Sequence, residues 1–174
     1  MNVANLITII RIFLVPFFIY TLLSGMPHRY SLAILLICVF TDALDGFVAR
    51  NFKQKTDLGR FLDPLADKFL ILSSYCVLAY KAVTPKWFFF LILGKDILVV
   101  AGWLLIYLLI GAKKINVRFL GKSAVFLQMS TLVAVLFRLG FVDWLYYFTG
   151  AVTFAAAIEY ILIGAKSFSL QKTK

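Results

Sequence analysis

The sequence predicts an all-α integral membrane protein with six transmembrane helices. Of its 174 residues, 63% are hydrophobic and only 15% are charged, whereas soluble domains average about 25% charged residues. A soluble chain of this length could not hide so much apolar surface in one core. Apolar runs of membrane-spanning length also recur along the chain. Helices are the expected elements, because backbone polar groups in lipid must pair within their own segment.

Six apolar segments follow one another, each close to the roughly 17–25 residues that a helical span needs. Proline, glycine or a concentration of charge marks the breaks between them. The first segment lacks a basic leader and a small-residue cleavage site, so a retained span is expected and not a signal peptide. No repeat or second domain is evident, and residues 1–174 are predicted to form one membrane domain. The segments are approximately Leu6–Leu23, Ser31–Val48, Leu65–Tyr80, Trp87–Ile110, Leu120–Phe137 and Phe141–Ile163.

The distribution of lysine and arginine predicts the orientation. Six spans place both termini and two of the loops on one side, where most of the basic residues lie: Arg50, Lys53, Lys55, Arg60, Lys68, Lys113, Lys114, Arg118, Lys122, Lys166, Lys172 and Lys174. The other side receives only Arg29, Lys81, Lys86 and Arg138. Basic residues favour the cytoplasmic side, so both termini are predicted to be cytoplasmic, in a multi-pass protein of the inner or plasma membrane.

The remaining composition excludes several kinds of site. The net charge of +10 forms no basic stripe interleaved with groove-reading polar residues, so no nucleic-acid partner is expected, and membrane lipids are the expected partners. Cys38 and Cys76 lie inside apolar runs without metal-ligand spacing, which favours buried small hydrophobes. His28 has no partner nearby in sequence and is not expected to be a catalytic base.

Acidic residues are concentrated between the second and third spans. The stretch 40–72 holds five of the chain's eight acidic residues. Asp42 and Asp45 are three apart, and Gly46 and Ala49 follow four and seven residues after Asp42, so all four share one face of a helix. Small residues beside carboxylates let another backbone or a ligand approach closely.

A second acidic stripe begins the third span. Gly59, Asp63 and Asp67 recur at four-residue spacing, which again places them on one helix face. Pro64 suits the first turn of a helix that begins there, but would lie inside a helix that begins near Asp57. A polar loop of about ten residues would let the two stripes face each other near the cytoplasmic membrane surface.

Carboxylates gathered in this way predict a divalent-metal site. Facing carboxylates repel one another without bound cations, and clusters of oxygen ligands suit Mg²⁺ or Mn²⁺. Arg50 supplies a planar fork for phosphate oxygens. The pattern favours metal-assisted chemistry on a phosphate or diphosphate. A solvated acidic loop and an ion path remain open, since intramembrane acids often line such paths.

The complete spacing is D-x2-D-G-x2-A-R-x8-G-x3-D-x3-D, carried by Asp42, Asp45, Gly46, Ala49, Arg50, Gly59, Asp63 and Asp67. It resembles the signature of the CDP-alcohol phosphotransferase family at every position, and six spans over this length also fit that family. The resemblance implies transfer of a phosphatidyl or similar group from a CDP-linked lipid to an alcohol, with release of CMP. It also implies a homodimer.

Residue roles follow from the same resemblance. It implies that two Mg²⁺ (or Mn²⁺) ions are held by Asp42, Asp45 and Asp63, with a contribution from Asp67. Asp67 would also be the base that takes the proton of the attacking hydroxyl. The CDP-lipid would be bound through the small residues and the arginine, which are Gly46, Ala49, Arg50 and Gly59.

Three further segments resemble phosphatidylglycerophosphate and cardiolipin synthases of that family. In the first, Arg11 lies within a span and is expected to face either the site or Glu159. The second segment contains Lys95 and Asp96, which are expected to need separate partners because adjacent residues point to different helix faces. In the third segment, Gly121, Lys122 and Gln128 match those synthases, but Val125 replaces the usual threonine.

The acceptor alcohol is predicted to be glycerol 3-phosphate, and the donor to be CDP-diacylglycerol. A phosphorylated acceptor needs a basic pocket, and the candidates are Arg118, Lys122, Arg11 and Gln128; topology also explains the basic charge. Alternatives within the family are a cardiolipin synthase and an inositol-phosphate-type enzyme. Outside it, an aspartate-rich prenyltransferase would have more spans, and a transporter would carry charges along several spans.

Overall fold

The structure is a computed structural model that describes the backbone of residues 3–51, 57–110 and 119–169, with side chains throughout except at 3–9, 11, 12, 42–51, 57–65, 103, 106, 107, 109, 110 and 165–169. The described residues form six helices and no strand, so the predicted all-α class is confirmed for them. The helices are α1 (Val3–Leu23), α2 (His28–Asn51), α3 (Asp57–Tyr80), α4 (Lys86–Ile110), α5 (Phe119–Leu136) and α6 (Val142–Ser169).

The helices around the acidic stretch are longer than the apolar segments that predicted them. α2 continues to Asn51, and α3 begins at Asp57 and not at Leu65. Pro64 therefore lies about two turns inside α3, where it cannot donate a hydrogen bond to the preceding turn. The connection is residues 52–56, so the prediction of a loop of about ten residues is wrong. Apolar residues mark only the part of a helix that packs or meets lipid, whereas the backbone bonds continue into polar sequence.

Two helices are long and apolar enough to cross a membrane, among the residues that the structure describes. They are α5 over Phe119–Leu136 and α6 over Val142–Gly164. Shorter apolar stretches lie in α1 and α2, at Phe13–Leu23 and His28–Thr41. The described part of the chain thus contains membrane-spanning candidates, and the full count of six spans stays a prediction.

The chain divides into two compact units. Unit 1 comprises Met1–Val83 and Leu132–Arg138, and unit 2 comprises Thr84–Thr131 and Leu139–Lys174. In unit 1, α1 packs against both α2 and α3. The α1 side chains in this core recur at helical spacing, as one packed face requires, and the buried apolar residues of the unit include Val15, Phe18, Leu22, Leu35, Leu70 and Tyr75.

In unit 2, α4 packs against α6. The helices approach closely at Gly150, where an added Cβ would lie 3.0 Å from the Trp87 ring. That ring stacks on Tyr147, with centroids 5.6 Å apart. Phe88 packs edge-on against Tyr146 at 5.1 Å. A small residue on α6 thus lets an aromatic side chain of α4 lie against its backbone.

Large apolar side chains are exposed on these helices, while several polar side chains are buried beside the apolar core. Eight of the described hydroxyl and amide side chains are buried, whereas Phe13, Phe126 and Trp144 are 74%, 72% and 80% exposed. Many hydroxyls donate to a carbonyl of the preceding helical turn, as Thr41 does to Ile37 at 2.8 Å. This bond satisfies a hydroxyl without water. The exposed surface of these helices therefore suits hydrocarbon better than water.

The C-terminus of α3 adopts a Schellman motif. The Val83 amide donates to the Leu78 carbonyl at 2.9 Å, and the Ala82 amide donates to the Ala79 carbonyl at 3.2 Å. Ala82 has a φ of 54°, in the left-handed region that glycine usually occupies at this position. An alanine there adopts a conformation that costs roughly 1–2 kcal/mol.

Ala82→Gly is expected to stabilise the protein by about 0.5–1 kcal/mol, because relief of the left-handed conformation outweighs the greater freedom of glycine in the unfolded chain. Thermal unfolding in detergent would measure the change. Ala33→Gly is the matched control. Ala33 is an exposed alanine inside α2, and glycine there should destabilise by about 0.5–1 kcal/mol. A fall in stability for both variants would contradict the expectation.

Candidate active site

The first acidic stripe continues the buried face of α2. Ser31, Leu35 and Cys38 are buried at helical spacing in unit 1. Positions 42 and 45 follow Leu35 and Cys38 by seven residues, which is about two helical turns. The α2 backbone is helical through both positions. By register, Asp42 and Asp45 thus occupy the continuation of the face that packs into unit 1.

The second acidic stripe has the same relation to α3. Ile71, Ser74 and Leu78 are buried, and Asp67 precedes Ile71 by one turn on the same face. The Asp67 side chain is half-buried. Asp63 lies one turn earlier in the same helix. Both acidic stripes therefore extend packed faces of helices that contact α1.

Most of the predicted motif side chains lie outside the described ones. These are Asp42, Asp45, Asp63, Gly46, Ala49, Arg50 and Gly59. Among the described side chains, no group of three or more His, Cys, Asp or Glu residues could hold a metal ion. Asp67 is the one predicted metal ligand whose side chain is described. That the two acidic stripes face each other, and that they hold a metal ion, stay predictions.

The predicted acceptor residues have different surroundings. Lys122 is exposed near the start of α5, whereas Gln128 is buried. The Gln128 amide donates to the Thr153 hydroxyl of α6 at 3.0 Å. The Arg11 side chain and Arg118 lie outside the described residues, so the expectation that Arg11 faces either the site or Glu159 stays a prediction. Gln128 thus contributes at least one bond between helices.

A row of polar contacts joins α5 to α6, and sequence reasoning did not single it out. Thr131 and Thr149 share a hydrogen bond of 2.8 Å, close to the bond between Gln128 and Thr153. The available signal was the spacing of polar residues within apolar spans. Gln128 and Thr131 are three apart, and Thr149 and Thr153 are four apart, so each pair lies on one helix face. Such bonds position two helices in a medium without water.

The buried ion pair in α4 corrects one expectation. The Lys95 ammonium lies 3.1 Å from the Asp96 carboxylate, and the two side chains are only 4% and 10% exposed. The prediction that these adjacent residues need separate partners is wrong in this respect. The lysine side chain is long enough to reach the carboxylate of its neighbour. The Cα–Cβ directions of the two residues therefore do not predict whether they form an ion pair. Asp96 also interacts electrostatically with Tyr160.

Gly121 and Tyr160 form a close contact between α5 and α6. A Cβ added at Gly121 would lie 2.6 Å from the Tyr160 hydroxyl oxygen, but 3.4 Å from the nearest ring carbons. The hydroxyl group is therefore the main obstacle to any larger residue at this position. Gly121 belongs to the segment that resembles the acceptor region of the synthases, but its partner is far away in sequence, and no local pattern identifies it.

Gly121→Ala is expected to destabilise the protein by about 1–3 kcal/mol, because Tyr160 must move or strain the packing. Tyr160→Phe removes the colliding oxygen, so the double variant should recover most of that loss. Unfolding of the single and double variants in detergent would measure their coupling. A double variant as unstable as the sum of the two single changes would show that the hydroxyl is not the obstacle.

Comparison with known proteins matches residues 1–161 to the model of one family, described as CDP-alcohol phosphatidyltransferase. The chain belongs to the CDP-alcohol phosphatidyltransferase family. This confirms the resemblance carried by the acidic motif. CDP-alcohol phosphatidyltransferases are membrane proteins of phospholipid synthesis. Family membership argues against the prenyltransferase, transporter and solvated-loop alternatives.

Relatives within the CDP-alcohol phosphatidyltransferase family carry two kinds of name. A CDP-diacylglycerol–glycerol-3-phosphate 3-phosphatidyltransferase of Aquifex aeolicus is 41% identical over 105 residues, covering 59% of this chain and 58% of that protein. A probable phosphatidylglycerophosphate synthase of Mycobacterium tuberculosis is 36% identical over 101 residues, covering 55% of this chain and 48% of that protein. A putative cardiolipin synthase of the same organism is 32% identical over 126 residues, covering 72% and 60%.

These alignments span between about half and three fifths of each relative's length. The shared region supports the family and the reaction class. It does not distinguish the two acceptors, because proteins named for either one align with this chain.

Proposed function

We propose that this protein transfers the phosphatidyl group of CDP-diacylglycerol to glycerol 3-phosphate. The acceptor hydroxyl attacks the phosphorus that carries the diacylglycerol, and the bond from that phosphorus to the bridging oxygen breaks. CMP leaves with the bridging oxygen, and phosphatidylglycerophosphate forms. The observation that carries the proposal is the complete eight-residue motif in a chain that matches the CDP-alcohol phosphatidyltransferase family. The Aquifex relative named for this reaction supports the acceptor.

The positions of the motif on the helices support a single site. Both acidic stripes continue buried faces of unit 1, and α2 and α3 both pack against α1. This register would place the four acids near one another at the same end of unit 1. In this proposal Gly46, Ala49 and Gly59 leave room for the cytidine. Arg50 would bind the diphosphate through its planar fork.

Asp67 is proposed to accept the proton of the attacking hydroxyl. A base must lie within about 3 Å of the proton that it takes. Asp67 is the motif residue nearest the apolar part of α3, one turn before buried Ile71. That position suits a group that meets the acceptor where the lipid chains begin. Its half-burial also limits competing water.

Divalent metal is the proposed cofactor, as two Mg²⁺ or Mn²⁺ ions. Carboxylate oxygens are the ligands that these cations prefer, and the motif supplies four carboxylates. Asp42, Asp45, Asp63 and Asp67 would hold the ions. When bound, they would neutralise charge on the diphosphate and on the departing CMP.

Asp42→Asn is expected to raise the Mg²⁺ concentration needed for half-maximal turnover by about tenfold or more, because an amide oxygen carries no charge for the cation. CMP release measured against Mg²⁺ concentration would show the shift. Asp143→Asn, an exposed acid at the start of α6 outside the motif, should leave the curve unchanged. An unchanged curve for Asp42→Asn would remove this residue from the metal site.

The proposed placement is six helices across the membrane with both termini cytoplasmic. The helices contain between 18 and 28 residues, or about 27–42 Å at 1.5 Å per residue, and the hydrocarbon layer is about 30 Å thick. These helices expose phenylalanine side chains, and many of their hydroxyl side chains donate to carbonyls of the same helix. Both features suit a lipid environment. The excess of basic residues on the side of the acidic motif supports an active site at the cytoplasmic face. The homodimer stays a prediction.

Acceptor specificity tests the proposal directly. Purified protein in detergent would receive CDP-diacylglycerol with Mg²⁺ and, in separate reactions, glycerol 3-phosphate, phosphatidylglycerol, inositol phosphate or no acceptor. We expect CMP release only with glycerol 3-phosphate, and phosphatidylglycerophosphate as the lipid product by mass spectrometry. CMP release that does not depend on glycerol 3-phosphate would overturn this acceptor.

A cardiolipin synthase is the second candidate, because relatives with that name align with this chain at 32% identity. It would use phosphatidylglycerol as the acceptor in the same assay. The two candidates differ in acceptor charge and size and not in the chemistry of the motif. Production of cardiolipin with phosphatidylglycerol, without activity on glycerol 3-phosphate, would decide for the second.

A further inference from the structure

Four basic side chains lie at the end of unit 1 opposite the acidic motif. This distal basic cluster consists of His28, Arg29, Lys81 and Arg138. The Arg138 guanidinium donates to the Nε2 atom of His28. The Lys81 ammonium donates to the Leu23 carbonyl at 3.1 Å. All four side chains are exposed.

The helix ends show that these residues share one end of the unit. α1 ends at Leu23, α2 begins at His28 and α3 ends at Tyr80, and the contacts of Lys81 and Arg138 bring separate segments together there. Asp67 lies thirteen residues before Tyr80 along α3, which is about 20 Å at 1.5 Å per residue. The distal basic cluster is therefore separate from the acidic motif.

The charge at this end has no acidic counterpart within the described part of unit 1. Asp67 is the sole acidic residue among the described side chains of that unit, and it belongs to the other end. The side chains of Arg138 and Lys81 also have N–H donors left over for further hydrogen bonds. A guanidinium has five N–H donors and an ammonium has three, whereas the contacts above use one from each.

Orientation does not explain why these charges converge. Basic residues that set topology accumulate on the cytoplasmic side, but the predicted orientation puts this end on the opposite side. Of the four Lys and Arg residues expected there, Arg29, Lys81 and Arg138 belong to unit 1, and Lys86 begins α4 in unit 2. A separate reason is needed for basic residues from three segments to meet at one place.

The surroundings of the cluster fit a lipid headgroup region. The Arg29 guanidinium lies over the Tyr30 ring, 5.2 Å from its centroid. Tyrosines with exposed rings are typical of the membrane interface. Large apolar side chains with substantial exposure lie at or next to the same helix ends, and they are Leu23, Met26, Tyr30, Tyr80, Val83 and Phe137. Cations beside exposed apolar surface can bind phosphate and acyl chain together.

We propose that the distal basic cluster binds the phosphate of an anionic phospholipid in the leaflet away from the active site. Arg138 supplies a planar fork for phosphate oxygens, and Lys81 and Arg29 add positive charge. The apolar side chains around them contact the acyl chains, which a free phosphate ion would not use. This inference rests on the proposed membrane placement and not on the identity of the acceptor alcohol.

A lipid titration of the full chain tests the proposal. Purified protein in neutral detergent would be titrated with phosphatidylglycerol, phosphatidylcholine or inorganic phosphate, and the apparent affinity taken from the rise in unfolding temperature. We expect stabilisation by phosphatidylglycerol alone. In the variant Lys81→Gln/Arg138→Gln, the affinity should fall by about fivefold for each residue neutralised, from the value of a basic residue at a membrane surface.

Lys86→Gln is the matched control, since Lys86 is an exposed lysine on the same predicted side but in unit 2. It should bind phosphatidylglycerol as the unchanged protein does. If the double variant does not fold, Arg29→Gln replaces it, with an expected fall of about fivefold. Equal affinity in these variants would overturn the proposal, as would equal stabilisation by phosphatidylcholine or by inorganic phosphate.

CMP release distinguishes this inference from the proposed function. The cluster lies apart from the acidic motif, so its variants should retain turnover in detergent micelles of fixed composition. Loss of lipid binding with normal turnover would support the distal site. Loss of glycerol 3-phosphate dependence in the unchanged protein would instead concern the acceptor proposal alone.

Discussion

Asp67→Asn is expected to reduce CMP release by about 10²–10⁴-fold, the usual contribution of a positioned general base. The amide is nearly the same size as the carboxylate, so the packed face of α3 formed by Ile71 and Ser74 should stay intact. The asparagine amide cannot accept the proton of the attacking hydroxyl at neutral pH. Turnover would be measured with saturating CDP-diacylglycerol and glycerol 3-phosphate, beside binding of the CDP-lipid.

The control for this variant is Asp143→Asn, the same change at an exposed acid outside the motif. It should turn over at the unchanged rate. Binding of CDP-diacylglycerol by Asp67→Asn should remain, because the other proposed metal ligands, Asp42, Asp45 and Asp63, are unchanged. Turnover close to that of the unchanged protein would remove Asp67 from the role of base.

Lys95→Met is expected to destabilise the protein by about 3–5 kcal/mol, the usual effect of removing one partner from a buried ion pair. The Lys95 and Asp96 side chains are only 4% and 10% exposed, so water cannot replace the lost ammonium. Lys95→Met/Asp96→Leu removes both charges and should lose far less, within about 1 kcal/mol of the unchanged protein. Unfolding in mixed detergent micelles would measure all three proteins.

Lys86→Met provides the control in the same helix. Its side chain is exposed, so removal of the charge should change the free energy of unfolding by no more than about 0.5 kcal/mol. A double variant as unstable as Lys95→Met would show that the lost packing of the lysine stem, and not an isolated charge, causes the effect.

Apolar patterning predicted the number and order of helices well, and their ends less well. The six segments each fall within one described helix, to within a residue or so at α5 and α6. α2 and α3 extend beyond their apolar parts into the acidic motif. Helical hydrogen bonds do not depend on hydrophobicity, so residues such as Asp57 continue a helix that the apolar pattern ends.

The polar contacts between helices could be predicted only in part. The four-residue spacing of Thr149 and Thr153 identifies a polar face of α6, but it does not identify Gln128 and Thr131 as the partners. The contact of Gly121 with Tyr160 has no local signal either. Partners on another helix depend on how the helices pack, and a single sequence does not specify that packing.

The sequence by itself predicted the family, which the family model confirms, together with the reaction class and a set of motif residues whose roles stay proposals. Eight residues at fixed spacing carry that prediction, because the proposed metal and diphosphate chemistry would require particular side chains at particular helical positions. Only the tertiary structure decided that Lys95 bonds to its neighbour Asp96, that Gln128 joins two helices, and that Arg138 meets His28. Those contacts depend on side-chain length and on segments distant along the chain, which neither periodicity nor composition specifies.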